Sequence, residues 1–458
     1  LGALDESGMV GIVRLHGGRQ DGVPAGFFGV VKEIVDGVIF LRVILDRRPE
    51  NAAESQVYPD DAAPHGAQLT EFWVPLGRHL RTSKTDLPQY YFRVAVSAER
   101  MRSNRFTLSG RAVFDTLDEI ETFAGRTLRC VQQLRESGDQ DDAPEGYGLC
   151  LATLAMGDVN ATSFAQQIHV GLLREAGAFD DRNLLSYGRF VPHGELWSGV
   201  YIDDAGTITT DAHVSEAAEL QERSRRCYDA LGVPDVAAKR DLNAVSSVMW
   251  GAEVDGRLNT VGVPRAKRWA VVLVTIQIAA RGRCSVRQLQ SCVGMWVDIF
   301  LYRRPLMNVF ARVYSWIEFT IARGTDADVS LVLPADVCSE LLHASSLAPL
   351  AQSHLCADLD SRLFVSDASL RGVGVVSTRD VPTQALRELW RTRVQPGVAA
   401  SRVGAPGSQR HDDAVGEILE SVRARVEIAR PINDELESIT HGEARARRYL
   451  LEKLATEV

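Results

Sequence analysis

The sequence has no long apolar run. The longest, Trp269 to Ala280, is interrupted by Thr275 and Gln277 and falls well short of the ~20 residues that span a bilayer. No membrane partner is expected. No signal-peptide pattern opens the chain, so an intracellular location is expected, in cytoplasm or nucleus, rather than secretion. The chain begins at Leu1 rather than Met and reads as a fragment or a processed piece. Cysteine is sparse: seven residues, an odd number, scattered, with no C-x-x-C pair. That argues for a reducing compartment and against a zinc site. The ten histidines show no metal-ligand spacing. Positive charge is also short, since the net charge is −9, which taken alone argues against a nucleic-acid partner.

The distribution of charge says something different. Between Arg257 and Arg323 eleven Lys or Arg stand against two acids, a local +9 that leaves −18 on the remainder. A basic surface on an acidic chain is the footprint of a phosphate-backbone contact, although an Arg-rich solvated helix face would read the same way. At 458 residues, with 45% hydrophobic and 24% charged content, the chain should hold two to four globular domains with ample core.

The densest chemistry lies in Gly199-Val200-Tyr201-Ile202-Asp203-Asp204-Ala205-Gly206. An apolar run, two acids and a Gly-containing return read as a hairpin with Asp203-Asp204 at its turn. Adjacent like charges raise each other's pKa, and a divalent cation offsets their repulsion. A solvated turn is the plainer alternative, because Asp is a common turn residue.

Further blocks precede it. Val30 to Gly37 and Leu41 to Asn51 suggest a hairpin turning at Asp36-Gly37, with Arg42 on the second strand, and cations on one face of such a hairpin could clamp a triphosphate. Lys84 to Val96 carries Asp86 ahead of an aromatic, β-branched stretch, so residues 90–96 read as a buried strand entered at Asp86. Arg135 to Tyr147 reads as an exposed acidic loop. Met156 to His169 reads as a Gly hinge leading into a helix with Thr162 or Ser163 as N-cap.

These blocks resemble reverse transcriptases, in that family's order. Tyr201-Ile202-Asp203-Asp204 matches the Tyr-x-Asp-Asp box. Arg42, Asp46, Arg48 and Asn51 fill the fingers pattern Arg-x-x-x-Asp-x-Arg-x-x-Asn. Asp86, Tyr91 and Phe92 fill Asp-x-x-x-x-(Tyr/Phe)-Phe, and Gly157, Asn160, Ala161 and Gln166 fill Gly-x-x-Asn-Ala-x-x-x-x-Gln. The Phe-Ala-Gln-x-x-His form at Phe164 to His169 is closest to DIRS-like retroelements and related protist sequences.

The resemblance implies an α+β, right-hand polymerase with fingers and palm over 1–255 and a helical thumb and connection over 256–350. It implies catalysis and metal binding by Asp86, Asp203 and Asp204, with two Mg²⁺ ions, or Mn²⁺ in their place. It implies nucleotide contacts from Lys32, Arg42, Gln89, Tyr90, Tyr91, Gln166 and Lys239, with Tyr91 excluding a ribose 2′-OH. Gly157, Tyr201, Trp250 and Gly251 would meet the template–primer. His169 reads as structural. Ser285 to Gly294 is one helix candidate in the basic segment, a second continues through Tyr302, and Pro305 starts the next.

From Leu363 the texture changes. Leu363 to Val376 reads as strand, Asp, Gly turn, strand, and resembles the opening of an RNase H domain with Asp367 as first metal ligand. Ser438 to Ala446 resembles the segment carrying its catalytic Glu, here Glu443, with Glu388 a weaker candidate. The chain stops at Val458 before two further carboxylates, so the 360–458 α/β region reads as a partial RNase H-like domain, truncated or vestigial.

The function expected is RNA-directed DNA polymerisation, with an RNA or DNA template, a primer and dNTPs as partners. A degenerate retroelement-derived protein that binds nucleic acid without polymerising is the main alternative. An RNA-directed RNA polymerase is disfavoured by Tyr91, and a protein scaffold is more distant still.

Overall fold

The computed structural model describes residues 1–17, 23–137, 144–233, 235–369, 372–378, 381–383, 386 and 425–431. It divides into two compact units. The first comprises Leu1–Pro64, Arg81–Tyr187 and Gly194–Ala244. It runs α1 (Gly2–Glu6), β1 (Val10–Leu15), β2 (Ala25–Val35), β3 (Val38–Asp46) and α2 (Arg48–Ala53). There follow β4 (Leu80–Asp86), α3 (Ala98–Ser103), β5 (Phe106–Thr107), α4 (Leu117–Ala124), α5 (Arg129–Glu136) and β6 (Gly146–Leu151). It closes with α6 (Ala161–Glu175), β7 (Leu196–Tyr201), β8 (Asp204–Thr210), α7 (Val214–Ala230) and β9 (Asp241–Ala244).

β2 and β3 pair antiparallel around Asp36-Gly37, whose φ angles of 50° and 78° are both positive. That is the type I′ geometry matching strand twist, and it is why an Asp-Gly pair marks the turn. The register slips between Val31 and Glu33, leaving Lys32 at a bulge. β7, β8, β4 and β9 form one sheet in that order. Ala165, Val170 and Leu173 of α6 and Tyr228 of α7 pack in one core with Val200 and Ala205 of the sheet. Burying these apolar faces is what fixes the helices on the sheet. A second core joins Val10, Ile12, Leu149 and Leu151 of the β1–β6 ribbon to Ile120 and Val131 of α4 and α5.

Two local expectations change in this unit. The strand near Asp86 precedes it instead of following it: β4 ends at Asp86, and Tyr90–Arg93 is a 3-10 turn. Gln89 takes a left-handed φ of 55°, and Pro88 supplies no N–H for a ladder, so the aromatic run coils and buries Tyr90. The N-cap of α6 is Asn160, not Thr162 or Ser163. Its side chain is drawn instead to the 54–57 backbone, accepting from Val57 N–H at 2.7 Å and donating to Ser55 C=O at 3.0 Å. In the expected acidic loop, α5 reaches Glu136 and β6 begins at Gly146.

The second unit comprises His65–Leu80, Gly188–His193 and Val245–Val458. Its elements are β10 (Ser246–Met249), β11 (Ala252–Asp255), β12 (Thr260–Gly262), α8 (Arg265–Arg281), β13 (Arg283–Cys284) and α9 (Val286–Phe300). Then come α10 (Ala311–Ala322), β14 (Leu331–Val332), α11 (Ala335–Leu347), β15 (Gln352–His354), β16 (Leu363–Ser369), β17 (Gly372–Thr378) and β18 (Arg425–Pro431). β10 and β11 turn at Trp250-Gly251 with φ of 48° and 81°. β16, β17 and β18 form an antiparallel sheet, with Asp367 opposite Gly374. Glu388 and Glu443 lie outside the described residues.

α9 starts at a capping box, Ser285 with Gln288. It passes through Gly294 without a break, so the two helices expected there are one. Leu289, Val293, Trp296 and Phe300 of its buried face outweigh the one glycine. The following turn kinks at Arg303 ahead of Pro305. The local +9 is diluted in the fold where Arg287 pairs with Asp328 at 2.6 Å, while Lys267 pairs at 2.7 Å with Asp298, an acid already in the count. Asp328 lies beyond the window in which the charge was counted. Among the described residues no helix is long and apolar enough to cross a membrane.

A buried ion-pair network ties the end of β3 to the loop before α6. Arg47, whose side chain has no exposure, pairs with Asp158, equally buried, and with Glu54 at 2.6 Å. Arg100 of α3 pairs with Asp158 as well and with Glu54 at 2.8 Å. Gly157 crosses so close to β3 that an added Cβ would stand 2.0 Å from Leu45 O, at a φ of 112°. Asn51 completes the joint, donating to Gly157 C=O at 2.8 Å. Asp158→Ala leaves the fully buried Arg47 and the partly exposed Arg100 sharing one carboxylate, Glu54. Urea unfolding should register a loss of about 3–5 kcal/mol, well beyond any change from Asp180→Ala at the exposed Arg182 ion pair.

Candidate active site

The site begins as a backbone problem. β7 and β8 pair with Tyr201 opposite Asp204, so the two-residue turn is Ile202-Asp203. Only Asp203 sits in the turn, and Asp204 already opens β8. Ile202 carries a φ of 59°, left-handed for a β-branched residue, at a cost of ~1–3 kcal/mol. Such a conformation persists only when its surroundings hold it. The Gln166 amide does so from α6, accepting from Ile202 N–H at 2.9 Å and donating to Val200 C=O at 2.9 Å. His169, fully buried, donates from Nδ1 to Ile202 C=O at 2.7 Å. Its Nε2 then accepts from the Tyr228 hydroxyl at 2.8 Å. Burial drives the His169 pKa down to about 4, so the ring is neutral and one nitrogen must accept.

The second carboxylate comes from the neighbouring strand. Leu87 N–H donates to Asp203 C=O at 3.1 Å, and Thr85 Oγ1 donates to Ala205 C=O at 3.3 Å. These bonds lie on either side of Asp86 in β4 and grip either side of Asp204. The three acids feel one another. Burial, then the neighbouring Asp203 and Asp86 charges, push Asp204 up to about 6. Burial and Asp86 also raise Asp203.

Cations surround the acids. Lys239 Nζ sits 2.9 Å from Asp86 Oδ2, and that bond raises the Lys239 pKa. Arg42 of β3 lies within electrostatic range of Asp203 and Tyr91. Lys84, on β4, acts on Asp204 and pairs with Asp241 at 3.4 Å. Among the described residues no three His, Cys, Asp or Glu side chains stand together as a ready-made metal cage. Partly buried carboxylates with raised proton affinity nonetheless fit Mg²⁺, which takes one or two carboxylates plus substrate phosphates and not an all-protein cage.

The structure therefore brings Asp86, Asp203, Asp204, Arg42, Tyr91 and Lys239 to one place. Tyr201, two-fifths exposed, is near enough to act on Tyr91. Tyr91 is partly buried, and its hydroxyl meets Thr162 Oγ1 at 3.3 Å. Gln89 takes the left-handed conformation just before Tyr90. Two expected nucleotide contacts face inward. Tyr90 is 4% exposed and donates to Ala165 C=O at 3.1 Å, and Gln166 is 2% exposed with its amide spent on the turn. Both support the site from behind. Lys32 stands exposed on β2, and Gly157 belongs to the β3 joint. Trp250, Gly251 and Asp367 belong to the second unit. Sequence reasoning missed Lys84, whose place two residues before Asp86 on one strand face was a usable signal. It also missed Tyr228, which no local pattern marks.

Asp204 yields a pH test. Its folded pKa, about 6, lies above the ordinary carboxylate value, so the fold binds its proton more tightly than the unfolded chain does. Its contribution to stability is then fully present below about pH 4 and is lost as pH rises through 6. In metal-free buffer, Asp204→Asn is expected to stabilise the protein at pH 7.5 by about 1–2 kcal/mol after allowance for solvent screening. Thermal melts should show that gain vanishing near pH 4.

No family model and no curated protein sequence matches the chain. Solved structures do. A foamy viral protease-reverse transcriptase, described as dRH in complex with double-stranded DNA, superposes with a TM-score of 0.51 at 14% identity, covering 82% of this chain and 51% of its own. The foamy viral protease-reverse transcriptase in complex with an RNA/DNA hybrid gives 0.51 at 13%, covering 98% and 44%. That with dsDNA gives 0.50 at 12%, covering 91% and 69%. The chain spans about half the length of the first two. At these identities the likeness is one of fold: a mixed α+β chain similar to a reverse transcriptase structure.

Proposed function

We propose that this chain is an RNA-directed DNA polymerase that transfers dNMP from a dNTP to a primer 3′-OH. One observation carries the reading: Asp86 and Asp203 converge from adjacent strands of one sheet, with Arg42, Lys239 and Tyr91 gathered around them. Asp86 and Asp203 would hold Mg²⁺, with Asp204 adding charge. Bound there, the metal supplies charge neutralisation for an in-line displacement at phosphorus. The chain's own groups do the positioning. Arg42 meets the triphosphate, Tyr91 closes the space a 2′-OH would need, and Lys239 is the group within reach to give a proton to the leaving pyrophosphate. Lys239 must leave Asp86 for this.

In this reading 1–255 are fingers and palm, 256–350 thumb and connection, and 360–458 a partial RNase H-like domain with Asp367 on its first strand. The β2–β3 hairpin is the fingers element and the β7-β8-β4-β9 sheet the palm. The Trp250-Gly251 turn would grip a primer strand. The foamy viral neighbours were solved with double-stranded DNA or an RNA/DNA hybrid, which supports a nucleic-acid partner here.

The Lys239–Asp86 ion pair favours a second reading. A chain that binds nucleic acid without polymerising could keep Lys239 in place of a metal. Primer extension on an RNA template with Mg²⁺ and dNTPs separates the two. Wild type is expected to extend, Asp203→Asn to fail while still binding duplex, and Tyr91→Ala to accept ribonucleotides. A wild type that binds duplex in a salt-dependent way and never extends would leave only the binder.

A further inference from the structure

Behind the carboxylates lies a polar chain that the polymerase reading does not use. It starts at Ile202 C=O, one residue from Asp203, and passes through the His169 ring to the Tyr228 hydroxyl. Thr85 of β4, one residue from Asp86, is near enough to act on the Tyr228 hydroxyl. Three elements carry the bonds of the chain: the β7–β8 turn, α6 and α7. His169 is 0% and Tyr228 2% exposed, so no water competes for these bonds.

The donors and acceptors permit one assignment. A carbonyl only accepts, so His169 Nδ1 carries the proton. The neutral ring's Nε2 then only accepts, so the Tyr228 O–H must donate. Without the Tyr228 hydroxyl, Nε2 is a buried acceptor with no partner, and the ring is free to shift off the Ile202 carbonyl. The left-handed turn would lose one of the two side chains that hold it. Packing alone would not need such an arrangement, since the Tyr90 ring already lies against His169 with centroids 5.2 Å apart.

We propose that His169 and Tyr228 are positioning residues: the Tyr228 hydroxyl satisfies Nε2 and so holds the His169 ring where its Nδ1–H secures Ile202, which keeps Asp203 in register with Asp86. The kinetic part rests on the polymerase reading. The structural part does not.

Two kinds of experiment test it. In a long-range ¹H–¹⁵N spectrum of the full chain, wild-type His169 should show protonated Nδ1 and bare Nε2. Amide exchange at Ile202 should accelerate in Tyr228→Phe, which keeps the ring and its packing. In primer extension, Tyr228→Phe should lose about 10²-fold in kcat, the cost of a misplaced reacting group. KM for dNTP and Kd for duplex should stay within about threefold of wild type. His169→Asn, which can still donate to Ile202, should lose less than His169→Leu. A His169 Nε2–H tautomer in wild type, unchanged Ile202 exchange in Tyr228→Phe, or wild-type kcat in that variant would each overturn the proposal. If wild type never extends, the polymerase reading falls and the tautomer and exchange results decide this one alone. If Tyr228→Phe does not fold, the wild-type tautomer and the Asn–Leu comparison at 169 decide it.

Discussion

Like-charge repulsion is the constraint on which the candidate site depends. The charges of Asp86, Asp203 and Asp204 act on one another, and with burial they hold the pKa of Asp203 and Asp204 above their ordinary values. A fold has no reason of its own to assemble such a group. The local backbone adds a second cost, a β-branched residue in the left-handed region at Ile202. Two unfavourable terms at one turn are the signature of a site kept for what it binds, and the nearby Lys239, Arg42 and Lys84 show that it draws positive charge.

The rest of the first unit serves to hold that turn still. α6 lies behind it with Gln166 and His169 on one face, three residues apart and so neighbours on the helix. Thr85 of β4 and Leu87 just beyond it bond the chain on both sides of Asp204. The Arg47–Asp158 joint anchors the start of α6 to the end of β3, the strand that carries Arg42. Positions that look unrelated in sequence are thereby tied to one small volume.

Much of this was legible in the chain. Asp36-Gly37 and the strand–acid–strand pattern at Gly199 to Thr210 named their hairpins because turn chemistry is local. The convergence of Asp86, Asp203, Arg42 and Lys239 was legible through the order of the blocks. What failed was also local physics read too simply. Tyr90 to Val96 looked like a strand, yet Pro88 and the left-handed Gln89 coil it. Gly294 looked like a helix break, yet the buried face of α9 overrides it. The charge of residues 257–323 was counted along the chain, whereas Asp328 reaches Arg287 only through the fold. Tyr228 was invisible because its meaning lies in a bond to a histidine on another helix.

The most direct test of the account is anomalous diffraction from crystals grown with Mn²⁺, a primer–template and a dNTP. The account predicts metal between the Asp86 and Asp203 carboxylates, with the Lys239 ammonium withdrawn from its 2.9 Å contact with Asp86. Lys239 still seated on Asp86, with nucleic acid bound and no metal at either carboxylate, would contradict it.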